Sequence, residues 1–590
     1  MTSNKTTPKT TPDAPRFIPA TPRELKALGW DRPDVVLVAG DAYIDAPPIG
    51  AAVIGRVLMD AGYRVGIIPQ PALDNGADIG RLGEPALFWG VTGGCVDSMV
   101  ANYTASGKRR KSDDMTPGGQ NTRRPDRAVI AYSNLIRRVF KDTRPIVLGG
   151  VEASLRRISH YDVKSDRVRR SILFDAKADI LVYGMGEGTV LDLADALRGE
   201  KDISKIRGIC YISREEPAPE PAFSGPDIGL PDHETVARDK AAFARMFKTF
   251  YENADPVTAK RLYQKQDTRF LVQNPPAPPP SSGQLDRIHD LPFTRDPHPI
   301  HREAGRVAAV ETIRFSLATH RGCYGECRFC AIAVHQGRHV VSRTEASLIR
   351  EASGFARHPE FKGIISDVGG PTANMYGIEC EQKGERGACR EKSCLFPRAC
   401  KRLPVHHGRQ IDLLRALRKL PHVRKVFIGS GIRYDLILAD REAGERYLSE
   451  ILRHHVSGQL KIAPEHSEEA VLKRMGKPGR ETLESFLKLF RKSAPKSGPK
   501  MFLTYYLMAA HPGCTQTHMA DLRAFCLRTL RLLPEQVQIF TPTPATWSTL
   551  MYHTETDPFT GERLFVEKRP EKKVRQKAAM AAPRRRRKSG

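Results

Sequence analysis

Three cysteines within eight residues constrain this chain of 590 residues more than any other feature. Cys323, Cys327 and Cys330 form a CxxxCxxC pattern, and the aromatic Phe329 stands directly before the last of them. A structural zinc site is normally closed by four ligands, and the second CxxC pair that would complete one is absent here. A cubane 4Fe-4S cluster also takes four ligands, so three thiolates leave one iron open. The spacing therefore predicts a 4Fe-4S cluster with a free site for a substrate or cofactor.

The second half of the chain contains six apolar runs typical of β-strands, most of them separated by helical patterns. They are residues 312–320, 363–370, 425–431, 459–466, 501–509 and 536–544. Six βα units predict a partial (β/α)6 barrel, open rather than closed, with its chemistry at the carboxyl ends of the strands. The cysteine loop follows the first strand directly, so we expect it at that end.

The first half alternates strand-like runs with helical patterns from residue 34 to residue 197. This alternation predicts a doubly wound parallel sheet, as in Rossmann-like domains. Glycines follow two of the strands, namely Gly149 and Gly150, and then Gly184, Gly186 and Gly188. Glycines at this edge indicate either a small-molecule site or turns that backbone geometry alone requires.

The fold class is therefore α/β, with a Rossmann-like domain, a partial barrel and a basic tail. We expect five regions: a disordered leader (1–24), the Rossmann-like domain (25–270), a Pro-rich linker (271–304), the barrel core (305–550) with a Cys-rich insertion (377–404), and a C-terminal extension with the tail (551–590). The linker is placed where Pro and Ser replace the strand and helix patterns.

Composition suggests a compartment and partners. No stretch approaches the roughly 18 apolar residues of a membrane span, and seven of the 11 cysteines fall between Cys323 and Cys400. That clustering suits reduced thiolates on metal better than a disulfide framework, so we expect a cytoplasmic protein without membrane contact.

Part of the net charge of +27 is concentrated at the carboxyl end. From Lys568 onward the sequence contains eleven Lys or Arg and a single acidic residue, Glu571. The composition predicts a disordered arm that contacts RNA or the ribosome, or alternatively a solvated tail. A second class of function is accordingly a nucleic-acid- or ribosome-associated binding protein in which the cluster is only structural.

The cysteine pattern and its place after a first barrel strand resemble the radical S-adenosylmethionine (SAM) superfamily. The stretches "VLGGVEASLRRISHYD", "LATHRGCYGECRFCAIAVHQGR", "SDVGGPTANMYG" and "IAPEHS" further resemble its uncharacterised YgiQ-type family. The resemblance implies that the methionyl amine and carboxylate of SAM chelate the open iron, and that reductive cleavage gives a 5′-deoxyadenosyl radical. It also implies a reductant such as flavodoxin or ferredoxin, but no particular substrate.

By the same resemblance, six residues are candidates for binding SAM, and none is assigned as catalytic. They are Phe329, Gly369, Gly370, Ser430, Arg433 and Glu465. Pro371 follows the two glycines where the family commonly has Glu, so the carboxylate that would contact the methionyl amine is missing. Turn glycines and surface caps are the alternative interpretation of these residues.

The amino-terminal half resembles the domain that binds cobalamin in related enzymes. The Asp-x-His-x-x-Gly signature, whose His would ligate cobalt, is not found near the first turn, "DAYIDAPPIG". Cobalamin held through that histidine is therefore not expected. Some relatives bind cobalamin without a His ligand, and otherwise we expect this domain to bind substrate or partner.

A second group of cysteines lies between the second and third barrel strands. Cys380, Cys389, Cys394 and Cys400 have the spacing C-x8-C-x4-C-x5-C, which fits no simple zinc ribbon. Four thiolates could hold an auxiliary 4Fe-4S cluster or a closed zinc site, and unligated surface cysteines are the third possibility.

Overall fold

The computed structural model describes residues 15–390, 392–494 and 500–581. The first half of the chain forms a nine-stranded sheet and a small hairpin. The strands are β1 (Val35–Ala39), β2 (Val65–Pro69), β3 (Phe88–Thr92), β4 (Ile146–Gly149), β5 (His160–Asp162), β6 (Arg167–Arg169), β7 (Ile180–Val182), β8 (Ile209–Ser213), β9 (Ile228–Leu230), β10 (Leu262–Gln266) and β11 (Arg269–Gln273).

The large sheet has the order β2-β1-β3-β4-β7-β8-β11-β10-β9, and its first five strands are parallel. This part has the flavodoxin-like order, in which the connections reverse between β1 and β3 and ligands bind at the carboxyl ends beside that point. From β8 onward the sheet becomes mixed, because β8 and β11 pair antiparallel with their neighbours. The doubly wound prediction therefore describes the parallel half of the sheet.

The parallel strands form where the sequence has unbroken apolar runs. All five residues of β1 are buried, and so are all five of β2. A parallel sheet covered by helices on both faces excludes water from both sides of each strand, which selects continuous rather than alternating apolar residues. The same sequence property therefore explains why these segments form strands and why both of their faces are buried, even in β2 at the edge of the sheet.

The described residues of the second half form nine strands. They are β12 (Ser316–Ala318), β13 (His320–Arg321), β14 (Val341–Ser342), β15 (Ile364–Ile365), β16 (Asp367–Gly369), β17 (Lys425–Val426), β18 (Gln459–Glu465), β19 (Phe502–Ala509) and β20 (Val537–Ile539). Each of the six predicted barrel strands contains at least one of these segments. Parallel pairing joins neighbours in chain order: β12 with β16, β15 with β17, β18 with β19, and β19 with β20. A parallel bridge from Ile432 to Ile462 joins the third run to the fourth.

Helices cover both groups of strands. In the first half they are α1 (Pro22–Ala27), α2 (Gly50–Asp60), α3 (Ala77–Gly80), α4 (Ser98–Asn102), α5 (Ala128–Val139), α6 (Gly150–Leu155), α7 (Ile172–Ala176), α8 (Glu187–Arg198), α9 (His233–Arg238), α10 (Lys240–Glu252) and α11 (Ser282–Asp290). In the second half they are α12 (Val310–Ile313), α13 (Ile332–His335), α14 (Glu345–Gly354), α15 (Glu381–Arg386), α16 (Gly408–Arg418), α17 (Tyr434–Ala439), α18 (Gly444–His454), α19 (Glu469–Met475), α20 (Arg480–Ser493), α21 (Gln516–Phe525), α22 (Trp547–Thr554) and α23 (Pro570–Ala578). Short 3-10 turns occupy Pro117–Gly119, Ile203–Lys205, Pro299–His301 and Phe355–Arg357, and a π turn occupies Cys526–Leu530. No helix in the described part of the chain combines the length and apolar character that a bilayer crossing requires.

The structure corrects two predictions of disorder. Residues 15–24 belong to the folded body, because Ile18 and Ala20 are fully buried and α1 begins at Pro22. Residues 1–14 lie outside the described residues.

The predicted disordered tail is likewise folded as far as residue 581. Helix α23 buries Lys573 and Gln576, and Gln576 accepts a hydrogen bond from Ala510 N and donates one to the Cys514 carbonyl. These buried polar side chains find partners on the barrel, which composition alone could not indicate. Residues 582–590, with the arginine run, lie outside the described residues.

Candidate metal centre and adjoining cavity

The three-cysteine loop leaves the short strand β13 and ends at α13. The Cys323 N–H donates to the Gly337 carbonyl at 3.3 Å, and a turn brings the Cys330 N–H to the Cys327 carbonyl at 2.9 Å. Gly322 has φ +81°, and a Cβ there would lie 1.7 Å from the His339 carbonyl oxygen. Only glycine fits at this point, so local backbone geometry fixes where the loop begins.

Two of the three thiols, those of Cys323 and Cys327, adjoin Gly325. A Cβ on that glycine would lie 3.2 Å from Sγ of Cys323 and 3.6 Å from Sγ of Cys327, so its absence leaves space beside both sulfurs. Burial and then the neighbouring Cys327 raise the pKa of Cys323, and they raise the pKa of Cys330 to about 12. Protonated, buried thiols of this kind become thiolates when a metal takes the place of the proton.

A buried guanidinium adjoins the thiols. Nη1 of Arg433 lies 3.4 Å from Sγ of Cys327, while Nε and Nη2 donate to the two carboxylate oxygens of Asp435 at 2.8 and 2.5 Å. Burial opposes the charge on Arg433, but Asp435 and Cys327 raise its pKa above the ordinary value. Arg433 therefore stays cationic beside sulfurs that would become anionic on binding metal.

A network of buried hydrogen bonds holds the backbone of Arg433 in place. Asn374 accepts from the Arg433 N–H at 2.7 Å and donates to the Arg433 carbonyl at 3.0 Å. His407 lies 3.2 Å from Asn374 Nδ2 and 2.8 Å from Asp440. Sequence analysis missed these residues, because they belong to different segments and form no local motif.

The cysteine loop has the donor set of a cubane cluster. Within residues 15–390, 392–494 and 500–581, no three His, Cys, Asp or Glu side chains stand close enough together to ligate one metal ion. The thiolates of a cubane bind different iron atoms, so they need not meet at one point. Three thiols, the space at Gly325 and the adjacent cation of Arg433 together suit a cubane 4Fe-4S cluster.

The predicted contacts to SAM fall into two groups. Ser430 is held by Asp367, to which its N–H donates at 3.1 Å and its hydroxyl also donates. The guanidinium of Arg433 is engaged as described, and the Gly369 carbonyl accepts from the Thr319 N–H at 2.7 Å. The three residues are thus held by contacts within the protein, and their contacts to SAM stay predictions.

The other three candidates for binding SAM are Gly370, Phe329 and Glu465. Gly370 packs on His320, whose ring a Cβ would approach to 2.6 Å. Phe329 is half-buried between the two domains' cores and meets His511 edge-on. Glu465 ends β18 with φ +70°, a strained conformation for a residue other than glycine, and burial raises its pKa to about 7. Backbone strain of this kind can mark a functional site, although twelve other non-glycine residues of the described chain also have a positive φ.

A cavity of about 500 Å³ lies next to the loop, between the two halves of the molecule. Its walls combine the carboxyl ends of β1, β3, β4 and β7 with residues that follow the cysteines, among them Ala331 and Ile332. Gly370 and Pro371 form another part of the wall. Of the glycines singled out in the sequence, Gly149, Gly150, Gly184 and Gly186 line this cavity.

The second cysteine group is only partly brought together. Cys380, Cys394 and Cys400 belong to one small apolar cluster with Tyr324, whose hydroxyl accepts from the Cys380 N–H at 2.9 Å. In the described part of the chain, Cys389 does not belong to that cluster. Burial raises the pKa of Cys394 to about 11, although the adjacent Lys383 lowers it.

Comparison with known proteins agrees with this description. The model of the radical SAM N-terminal family matches residues 17–316. A UPF0313 protein of Fusobacterium nucleatum is 53% identical over 574 residues, which cover 97% of this chain and 100% of that protein. A UPF0313 protein of Methanocella arvoryzae is 49% identical over 556 residues, or 94% of this chain and 91% of that protein.

Two solved structures are more distantly similar. The radical SAM methyltransferase TsrM from Kitasatospora setae, with cobalamin and a [4Fe-4S] cluster bound, is 14% identical with a TM-score of 0.48, over 93% of this chain and 91% of that one. The cobalamin-dependent SAM radical enzyme OxsB is 14% identical with a TM-score of 0.47, over 90% of this chain and 57% of that one.

The family match and the cysteine loop define a radical SAM enzyme. The chain belongs to the UPF0313 family of such proteins, as its YgiQ-type motifs predict.

Proposed function

We propose that the chain holds an open-site 4Fe-4S cluster on Cys323, Cys327 and Cys330, cleaves SAM reductively, and acts on its substrate through a 5′-deoxyadenosyl radical. The observation that carries the proposal is the loop itself. Its three cysteines follow the first barrel strand, and one of them, Cys327, contacts the buried guanidinium of Arg433. When bound, a cubane with one open iron supplies the electron that breaks the sulfonium bond of SAM.

The residues of the chain have separate tasks in this proposal. Arg433 offsets the negative charge of the thiolates and donates to Cys327, and Asp435 holds its guanidinium in place. Gly370 and the strained Glu465 lie at strand ends, where we place contacts to the methionyl amine and to the rest of SAM. Radical SAM enzymes need an external electron donor, and we expect a flavodoxin or ferredoxin.

Anaerobic reconstitution tests the proposal. The loaded protein should show a 4Fe-4S absorbance spectrum that SAM perturbs, and dithionite should yield 5′-deoxyadenosine and methionine. The triple variant C323A/C327A/C330A should lose the cluster and the products, whereas C526A, which removes a buried cysteine elsewhere, should keep both. Cleavage of SAM by the triple variant would overturn the assignment.

A second metal site on Cys380, Cys389, Cys394 and Cys400 is proposed separately. The support is that three of these cysteines belong to one apolar cluster with Tyr324 and Cys323, although in the described residues no three of them lie close enough together to ligate a single ion. Iron, sulfide and zinc should be measured in the triple variant, which lacks the first cluster. Retained iron and sulfide would support an auxiliary cluster, retained zinc a structural site, and the absence of metal would exclude both.

Contact with RNA or the ribosome is a further proposal that depends on the charge of the chain alone. Deleting residues 583–590 removes five positive charges, so RNA affinity should fall and depend less steeply on salt. Unchanged RNA affinity after the deletion would remove this proposal while leaving cleavage of SAM untouched.

A further inference from the structure

The Cys-rich insertion (377–404) packs against the cysteine loop. The Tyr324 hydroxyl accepts from the Cys380 N–H at 2.9 Å, and Glu326 accepts from Nζ of Lys383 at 3.3 Å. Tyr324 and Glu326 both lie between the first two cysteines of the loop. The insertion therefore contacts the very stretch that carries those two thiols.

Two further contacts connect the surface of the insertion to the loop. The guanidinium of Arg328 lies 5.2 Å from the ring centroid of Phe396. Ala399 and Cys400 pack against the same apolar cluster as Cys323. A short packed path therefore joins the insertion to a thiol of the proposed centre.

The exposed side of the insertion is strongly basic. Between Cys380 and Pro404 the sequence has seven Lys or Arg and three Glu, so the segment carries a positive net charge. Six of the seven cations are exposed, namely Arg386, Arg390, Lys392, Arg398, Lys401 and Arg402. Among the residues that the structure describes, the seventh, Lys383, pairs with Glu326, and none of the six exposed cations forms an ion pair. Unpaired cations on one surface favour a partner with an acidic surface.

Three of the exposed cations lie on one surface beside the packed path. Arg398 and Lys401 flank residues 399 and 400, which pack in the cluster with the loop. Nη1 of Arg402 donates to Gln382 at 2.6 Å and so joins this turn to α15. Arg386 stands one helical turn after Gln382, on the same face of α15. Arg386, Arg398 and Lys401 are named here the basic face.

RNA is another polyanion that such a face could attract, but the geometry favours an electron donor. A substrate must reach the cavity, and in the described chain no residue of the insertion lines that cavity, whereas Ala331 and Ile332 of the loop do. An electron donor does not enter the cavity. It needs a surface close to a thiol, because electron transfer between proteins weakens steeply with distance, and the insertion offers such a surface.

We infer that the basic face docks a small electron-transfer protein with an acidic surface, which passes its electron to the centre on the cysteine loop. The inference rests on the proposed function, since a donor is needed only if the three cysteines hold a cluster that cleaves SAM. One electron moves from the reduced donor to the oxidised cluster, and no bond forms or breaks in this step. Electron-transfer complexes are small and weak, so surface charges act mainly on the association rate.

Anaerobic stopped-flow mixing with photoreduced flavodoxin, a carrier of net negative charge, tests the basic face. The variant R386E/R398E/K401E reverses three exposed charges and leaves the cysteines and Arg402 in place. At low salt we expect its second-order rate of cluster reduction to be at least about tenfold below that of the unmodified protein. The rate of the unmodified protein should fall as salt is added, because ions screen the attraction.

The matched control is K26E/K141E/K201E. These three lysines of the first half are exposed and form no ion pair within the described residues, so the control changes the net charge by the same amount. It should lose less than about threefold in rate. The neutral variant R386Q/R398Q/K401Q introduces no new negative charge and should lose about threefold or more.

Equal rates for the two reversal variants would overturn the inference, and so would an unchanged rate for the neutral variant. A rate that does not depend on salt would overturn it as well. If R386E/R398E/K401E lost RNA affinity but kept its rate with flavodoxin, the surface would be an RNA site instead. Excess dithionite needs no docking and should still yield 5′-deoxyadenosine with every variant. No product from the unmodified protein with dithionite would refute the proposed function rather than the docking surface.

Discussion

Nη1 of Arg433 donates a hydrogen bond of 3.4 Å to Sγ of Cys327, across 106 residues of sequence. The contact joins the cysteine loop to the segment after β17. In the proposed centre, a hydrogen bond to a ligating sulfur would favour the more negative, reduced state of the cluster, so this guanidinium would ease the uptake of an electron.

Removing that hydrogen bond should lower the reduction potential of the cluster. The double variant R433Q/D435N replaces the buried ion pair with two neutral amides, so no lone charge is left inside the protein. We expect a potential lower by about 60 mV, which corresponds to a tenfold change for one electron. Potentiometric titration followed by electron paramagnetic resonance measures it. An unchanged potential would mean that Arg433 only supports the fold; the surface variant R415Q is the control.

The start of the cysteine loop should tolerate only glycine. Gly322→Ala would place a Cβ 1.7 Å from the His339 carbonyl oxygen, so we expect a loss of about 2–4 kcal/mol in the free energy of unfolding and poor iron loading. Gly337 also has a positive φ, of +92°, but no atom within 4 Å of the Cβ position. Gly337→Ala should therefore cost only about 1–2 kcal/mol. Equal effects in urea unfolding would contradict the steric argument.

The buried amide of Asn374 should contribute strongly to stability. It makes hydrogen bonds to the N–H and the carbonyl of Arg433, and Asn374→Ala leaves both groups buried without partners. We expect a loss of about 2–3 kcal/mol in the free energy of unfolding. Asn134 is exposed on α5, and Asn134→Ala should stay within about 0.5 kcal/mol. The role assigned to Asn374 fails if the two variants unfold at the same urea concentration.

Acid should destabilise the protein through buried neutral histidines such as His289. Its pKa is lowered to about 2, so below pH 6.5 the unfolded chain takes up a proton that the folded protein does not. As the pH is lowered below 6.5, the free energy of unfolding therefore decreases, by about 1.4 kcal/mol per pH unit for each such histidine. Between pH 6 and 5, His289→Phe should lose about 1 kcal/mol less than the unmodified protein. Parallel curves for the two proteins would show that His289 takes up a proton when folded.

Much of the architecture follows from local patterns in the sequence. The apolar runs at 34–43 and 459–466 became β1 and β18, because a buried strand needs a continuous or alternating set of apolar side chains. The three cysteines lie within one loop, so their spacing alone is enough to predict a shared metal centre. The mixed half of the large sheet was not predicted, since strand direction depends on how distant connections pack.

By itself, then, the sequence determined where the six strands of the second half lie and where the loop with the three thiols begins, since both depend on neighbours along the chain. Only the tertiary structure decided that Arg433 lies beside Cys327, and that α23 packs against the strands of the second half. The tertiary structure also places α11, which lies in the predicted linker, at the wall of the cavity, where His289 lines the same space as the glycines of the first sheet. Such contacts join segments far apart in sequence, and burial and unpaired polar groups arise only when those segments pack together.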